Sequence, residues 1–200
     1  MNKRCKEIFD YLFEEVVWLN GKWKIYQQLF LSGQDVYDVL NNSASTFFFL
    51  LKRIWLNELI SIIMKITDSK TFKNNKTERN ISLDLLISLL DEKKNKDLIE
   101  SLNKRLEKIK TICKQLRFVR NKIIAHHDLN AARKINLRKL QPEKIQPVED
   151  AVKEISELYN EVEKYFLGYS TAFDKFAMQA DGNTLVSVLK KSSISNAKIS

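Results

Sequence analysis

The sequence predicts an all-α protein, an antiparallel helical bundle of four long helices with short helices between them. Two observations predict it. Only four Gly and two Pro occur in 200 residues, so helix breakers are scarce. Apolar residues recur at three- and four-residue spacing over long stretches, and no run alternates cleanly with period two. The bundle is read as one domain over residues 1–180, with 181–200 as a short C-terminal helix and tail.

The first helix spans about 3–31, with apolar positions from Ile8 and Phe9 to Leu29 and Phe30 and a possible break at Asn20-Gly21. The second runs from about Asp35 to Thr67 and carries Phe47, Phe48, Phe49 and Trp55. Asp68 to Asn80 is polar and reads as a loop. Ser82 then caps a short helix through about Leu90. After a charged turn at 91–96, a stripe at Leu98, Leu102, Leu106, Ile109, Cys113 and Leu116 predicts a helix from about Asp97 to His126-His127. Pro142 and Pro147 punctuate a loop, and Val148 to about Gln179 reads as the last long helix. Asp181-Gly182-Asn183 breaks it, residues 184–190 form one more short helix, and Ser192–Ser200 reads as a weakly anchored end.

Several function classes fall away. Cys5 and Cys113 give no disulfide framework and read as small apolar residues, which fits a reducing, cytoplasmic setting. The first fifteen residues carry acids among the apolar positions, unlike a signal peptide. Phe47 to Met64 is the most apolar window, but Lys52, Arg53 and Glu58 interrupt it, so no membrane span is expected. There is no glycine-rich phosphate loop, HExxH or GxSxG, and no cofactor is called for. Two adjacent His with two distant Cys make a weak metal site, so none is expected.

The charge is localised. The net charge is +9, but Asn103 to Lys139 holds 12 Lys and Arg against Glu107 and Asp128, which is +10. The remaining 22 basic and 23 acidic residues sum to −1. Such a concentration suits a polyanionic partner, and it also suits the solvated face of a Lys-rich helix.

Within that segment lies Arg120-Asn121-Lys122-Ile123-Ile124-Ala125-His126-His127-Asp128, with the only two histidines of the chain. Histidine gives and takes protons near neutrality, and the arginine fork matches phosphate oxygens. Together they form a minimal kit for cleaving a phosphodiester without a metal. On a straight helix Arg120 and His127 stack on one face, whereas Arg120 and His126 stand about 120° apart. Convergence of Arg120 and His126 therefore requires a local break near Ala125, begun by Asp128 and Asn130, or a second chain. The bland alternative is a hydrogen-bonded packing histidine, with Arg120 ion-paired to an acid of another helix. Glu58, on the line Leu51, Trp55, Glu58, Ile62, is the expected acid for Arg120 or Arg117. Asp68 reads as a loop or cap residue.

Arg-Asn-Lys-x-x-Ala-His-x-Asp late in a long helix of an all-helical chain resembles the HEPN superfamily (higher eukaryote and prokaryote nucleotide-binding). Its signature is an arginine, often followed by a polar residue, then a histidine after four to six residues. Arg120, Asn121 and His126 match. The aromatic-rich first helix, Ile66-Thr67-Asp68 before a loop, and Ile81-Ser82-Leu83-Asp84-Leu85-Leu86 resemble the abortive-infection (Abi) branch over about residues 10–180. The resemblance implies a homodimer with both motifs facing one cleft. It also implies metal-independent RNA cleavage in a toxin–antitoxin or phage-defence system. On that reading His126 performs acid–base catalysis, Arg120 holds the phosphate, and Asn121 orients the phosphate or the histidine. Lys110, Lys114, Arg117, Lys122 and His127 bind the RNA backbone, and Glu58 and Asp128 give structural support. Which of His126 and His127 works is left open. RNA or a nucleotide is the expected ligand, and a cognate antitoxin a possible partner. The competing readings are an inactive nucleotide- or RNA-binding module and a structural helical partner protein.

Overall fold

The computed structural model describes residues 1–72, 75–120, 145–175 and 177–197. Among them the chain is an all-α bundle with one small hairpin. Helix α1 spans Lys3–Phe30 and α2 spans Gln34–Thr67. Strands β1 (Thr71–Phe72) and β2 (Asn75–Arg79) form the hairpin. Then come α3 (Leu83–Ser88), α4 (Lys96–Ile112), α5 (Lys114–Val119), α6 (Ile145–Leu167) and α7 (Gly182–Ala197), with a 3-10 turn at Phe173–Lys175.

Helix α1 starts where the Asn2 side chain accepts the Cys5 N–H at 2.8 Å, an N-cap that satisfies one of the unpaired first-turn donors. It runs through Asn20-Gly21 without a break. Asn20 makes its amide useful there, donating to the Val16 carbonyl and to Ser156 Oγ of α6, both at 2.8 Å. The face bearing Phe9, Leu12, Val16, Leu19, Trp23 and Tyr26 is buried in the main core. Pairs between Lys65 and Glu15 and between Lys22 and Glu58 fix α1 and α2 in antiparallel register.

Helix α2 is two helical pieces meeting at Ala44 (φ −162°, ψ 71°). Beside the kink the Ser43 hydroxyl donates to the Val39 carbonyl at 2.7 Å, competing with the helical ladder. The C-terminal piece is sealed by Leu56, Leu59, Ile60, Ile63, Met64 and Ile66. The piece around the kink is open: Tyr37, Phe47, Phe49, Leu50 and Ile54 are all exposed.

Three sequence expectations are corrected. The Asp68–Asn80 segment holds the antiparallel hairpin, with Thr71 opposite Arg79, and Asn80 ties its base to the Ser69 and Lys70 carbonyls. Helix α6 begins at Ile145, earlier than Val148, because Pro147 sits in the first turn where no N–H is needed. It ends at Leu167 rather than near Gln179. Gly168 takes a left-handed φ of +79°, and the buried Glu163 carboxylate accepts from the Thr171 N–H and hydroxyl, folding the chain back onto the helix.

Helix α7 is longer than the expected 184–190 and packs on α1 and α2. Asp181 accepts from the Thr184 N–H, and Gln28 of α1 bonds both Asp181 (2.6 Å) and the Gly182 N–H (3.0 Å). Those bonds, the Thr184 N–H first, hold the Asp181 carboxyl below its ordinary range. A Cβ at position 182 would meet Gln28 Cβ at 3.0 Å and Leu29 Cγ at 3.1 Å, so a larger residue would push α1 and α7 apart by a few tenths of an ångström. Val186 joins Leu29, Leu40 and Phe48 in a second, smaller core. Among the described residues no helix is long and apolar enough to cross a membrane.

Candidate functional site

The α4 stripe is buried as its spacing predicts: Leu98, Leu102, Leu106, Ile109, Cys113 and Leu116 are all inside. The helix does not run straight to the motif, however. Cys113 (φ −75°, ψ −4°) separates α4 from α5. Its thiol is fully buried against Thr67 at the end of α2, and burial pushes its pKa up to about 11. This contact sets α5 beside the C-terminus of α2, where Asp68 caps the helix in an extended conformation.

Asp68 is the acid that the motif arginine meets. Arg117 Nη1 pairs with Asp68 Oδ1, and Arg117 Nη2 reaches the Thr67 carbonyl at 3.5 Å. Arg120 Nη2 donates to Asp68 Oδ1 at 3.2 Å and Oδ2 at 3.0 Å. The spacing of three puts both arginines on one side of α5, so they share one carboxylate. The three side chains are only a quarter to a third exposed. Among the described residues, two guanidiniums against one carboxylate leave a local charge of +1. Arg120 Nε is buried without a hydrogen-bond partner, and Nη1 makes no bond to a described residue. A half-used arginine fork with spare positive charge is suited to accept anionic oxygens.

The basic segment looks different in space. Of its seven described cations (Lys104, Arg105, Lys108, Lys110, Lys114, Arg117, Arg120), five are in ion pairs. Arg105 binds Glu154, Glu157 and Glu161 of α6, at 3.0, 2.6 and 3.4 Å, and Lys108 binds Glu154 at 2.7 Å. Burial pushes the Glu154 carboxyl up, but Lys108 and Arg105 outweigh it and hold the group below its usual range. Lys110 pairs with Glu107 on its own helix, and Lys114 is exposed and unpaired among the described residues.

Glu58 is a correction. It pairs with Lys22 at 2.8 Å with its side chain 51% exposed, and it touches neither Arg117 nor Arg120. The buried face of α2 centres on Ile63 and Leu56, and Glu58 lies about 150° round the helix from it. Asn57, Glu58, Ser61 and Lys65 share the polar side of this piece of α2, and the line through Leu51, Trp55 and Ile62 runs along the edge between that side and the buried face. Sequence reasoning missed Asp68 as the partner. The available signal was a pair of arginines three apart, which needs an acid at a helix end nearby. Asn121, Lys122, His126, His127 and Asp128 lie outside the described residues. Among the described residues, no group of three or more His, Cys, Asp and Glu is placed to hold a metal.

An all-helical bundle with an arginine-bearing motif helix is the class of HEPN proteins. The family model HEPN_AbiU2, described as AbiU2, matches residues 3–185, and the chain belongs to this family, an abortive-infection-associated branch of the HEPN superfamily. No curated protein and no solved structure matches the chain.

Proposed function

We propose that the protein is a metal-independent endoribonuclease of an abortive-infection or toxin–antitoxin system, with Arg120 and His126 working in a cleft between two copies. The observation that carries this reading is the incomplete neutralisation of Arg120. Among the described residues, Asp68 holds the guanidinium at one nitrogen, which leaves the rest of the fork and a net positive charge for a phosphate.

His126 takes the proton of an RNA 2′-hydroxyl as that oxygen attacks the adjacent phosphorus. The P–O5′ bond breaks, a protonated imidazole returns a proton to the leaving 5′-oxygen, and a 2′,3′-cyclic phosphate results. Arg120 stabilises the charge gathering on the non-bridging oxygens. Asn121 orients the phosphate, and Lys114, Lys122, His127 and the flanking Lys110 and Arg117 hold the backbone. Asp68 is a positioning residue that aims Arg120. Phe118, 51% exposed beside Arg117, gives an apolar contact by which a second copy brings up its own motif. A cognate antitoxin would cover the same face.

Incubation of the full chain with total RNA, with and without EDTA, tests the reading. His126→Ala should lower the cleavage rate by about 10²- to 10⁴-fold, and EDTA should leave it unchanged. Full cleavage by both His126→Ala and Arg120→Ala refutes it. The Asp68 carboxylate already bound to Arg120 favours one other reading, an inactive RNA-binding module. That reading predicts salt-sensitive binding without products.

A further inference from the structure

A cavity of about 440 Å³ opens where the kink of α2 faces α1 and the start of α6. It lies in the size range of small-molecule sites. Its lining is rich in rings, with Tyr26, Phe30, Phe48 and Phe49 around it, and it carries two cations, Lys52 and Arg53. No acid lines it among the described residues. The Lys52 ammonium stands 5.9 Å from the Phe30 ring centroid, and Arg53 is half-buried with no ion pair to a described residue. Tyr26 is fully buried and its hydroxyl has no hydrogen-bond partner among the described residues. Burial also pushes its pKa up to about 12, so it stays a neutral donor. An unpaired cation and an orphan hydroxyl are both costly in such surroundings unless an acceptor completes them.

We propose that this cavity binds a small anion with a planar apolar body, an aromatic carboxylate or phosphate monoester. The ring system stacks among Phe30, Phe48 and Phe49, and the anionic oxygens meet Lys52 and Arg53. Tyr26 donates to a ligand oxygen. None of these residues belongs to the Asp68–Arg117–Arg120 cluster. Arg53 and Asp68 are separated by fifteen residues of α2, about 22 Å along the axis, so the cavity is a second site.

The test is calorimetric titration of the full chain with 1-naphthoate, 1-naphthyl phosphate and neutral 1-naphthalenemethanol. The anions should bind one per chain, at least tenfold tighter than the alcohol; whichever anion binds tighter names the head group. Lys52→Met/Arg53→Met should erase that tenfold preference while leaving the alcohol unchanged. Tyr26→Phe should weaken the anions three- to tenfold without lowering the melting temperature of the ligand-free protein, which separates lost contact from lost fold. Equal binding of anions and alcohol overturns the proposal, as does anion affinity untouched by the double substitution. If the double substitution instead changes the oligomeric state and no probe binds, the cavity is an interface between copies and the proposal fails.

Discussion

Two arginine clusters, less than twenty residues apart in sequence, have opposite electrostatic balances. At the α4–α6 seam, Arg105 and Lys108 face Glu154, Glu157 and Glu161, two cations against three carboxylates. At the α2–α5 junction, Arg117 and Arg120 face Asp68 alone among the described residues. The first cluster is saturated by protein carboxylates and joins two long helices. The second keeps a surplus positive charge and a buried, unpartnered Nε. Among its described residues, one basic stretch of sequence thus divides into a part paired within the fold and a part with surplus positive charge, the part that the proposed function assigns to RNA. The total charge of the stretch reports neither.

The sharpest way to break this contrast is to remove one arginine from each side. Arg120→Ala should lower RNA cleavage by about 10²- to 10³-fold, measured as initial rate at a fixed concentration of folded protein. Arg105→Ala should leave that rate within about threefold, since it removes only one buried partner of Glu154. Comparable losses in both would erase the distinction. The same pair should reverse in stability. Arg105→Ala strands the nearly buried Glu154 and should cost about 1–3 kcal/mol in urea unfolding, with Lys108 limiting the loss.

Asp68→Asn gives a finer reading. Two guanidiniums then lose their shared anion, and we expect a loss of about 1 kcal/mol, modest because the group is partly solvated. Inorganic phosphate should restore more melting temperature to this variant than to the wild type, because it fills the vacated anion position. No difference in phosphate response would show that the junction does not recruit anions.

The smallest effect concerns pH. Lys108 and Arg105 hold the folded Glu154 carboxyl below the ordinary value of 4.5 despite its burial. Its stabilisation is therefore complete above about pH 4.5 and is lost as the pH falls through the lower folded value. Urea midpoints between pH 6 and 3 should fall less steeply for Glu154→Gln than for the wild type.

How far the sequence alone reaches depends on how one-sided each element is. The α4 stripe was legible because all but two positions off the line Leu98–Leu116 are polar, and the two exceptions, Ile99 and Ile112, flank the stripe and pack on the same core. Ser82 was legible because an N-cap is a local device, and its hydroxyl accepts the Leu85 N–H as expected. The phase of α2 was not legible, because it is apolar on most sides and bends at Ala44, so positions before and after the kink do not share a face. That ambiguity selected Glu58 instead of Asp68. The hairpin escaped notice because Asn75–Arg79 is polar throughout and carries no alternation. The end of α6 escaped because Gly168 acts with two distant side chains, Asn160 and Glu163, that capture Thr171. For the candidate site, the arginine and its helix were readable; the partner that aims it depends on a tertiary junction sealed by Cys113 and Thr67.

The lock of Gln28 on Asp181 and Gly182 bears on timing during synthesis. Residues 182–197 are made after everything they cover, and Val186 completes the small core of Leu29, Leu40 and Phe48. Until that helix emerges, the apolar flank where α1 turns into α2 stays uncovered on the growing chain. Assembly of the bundle therefore finishes late, and a chain cut short before Asp181 would present a sticky flank to chaperones and proteases.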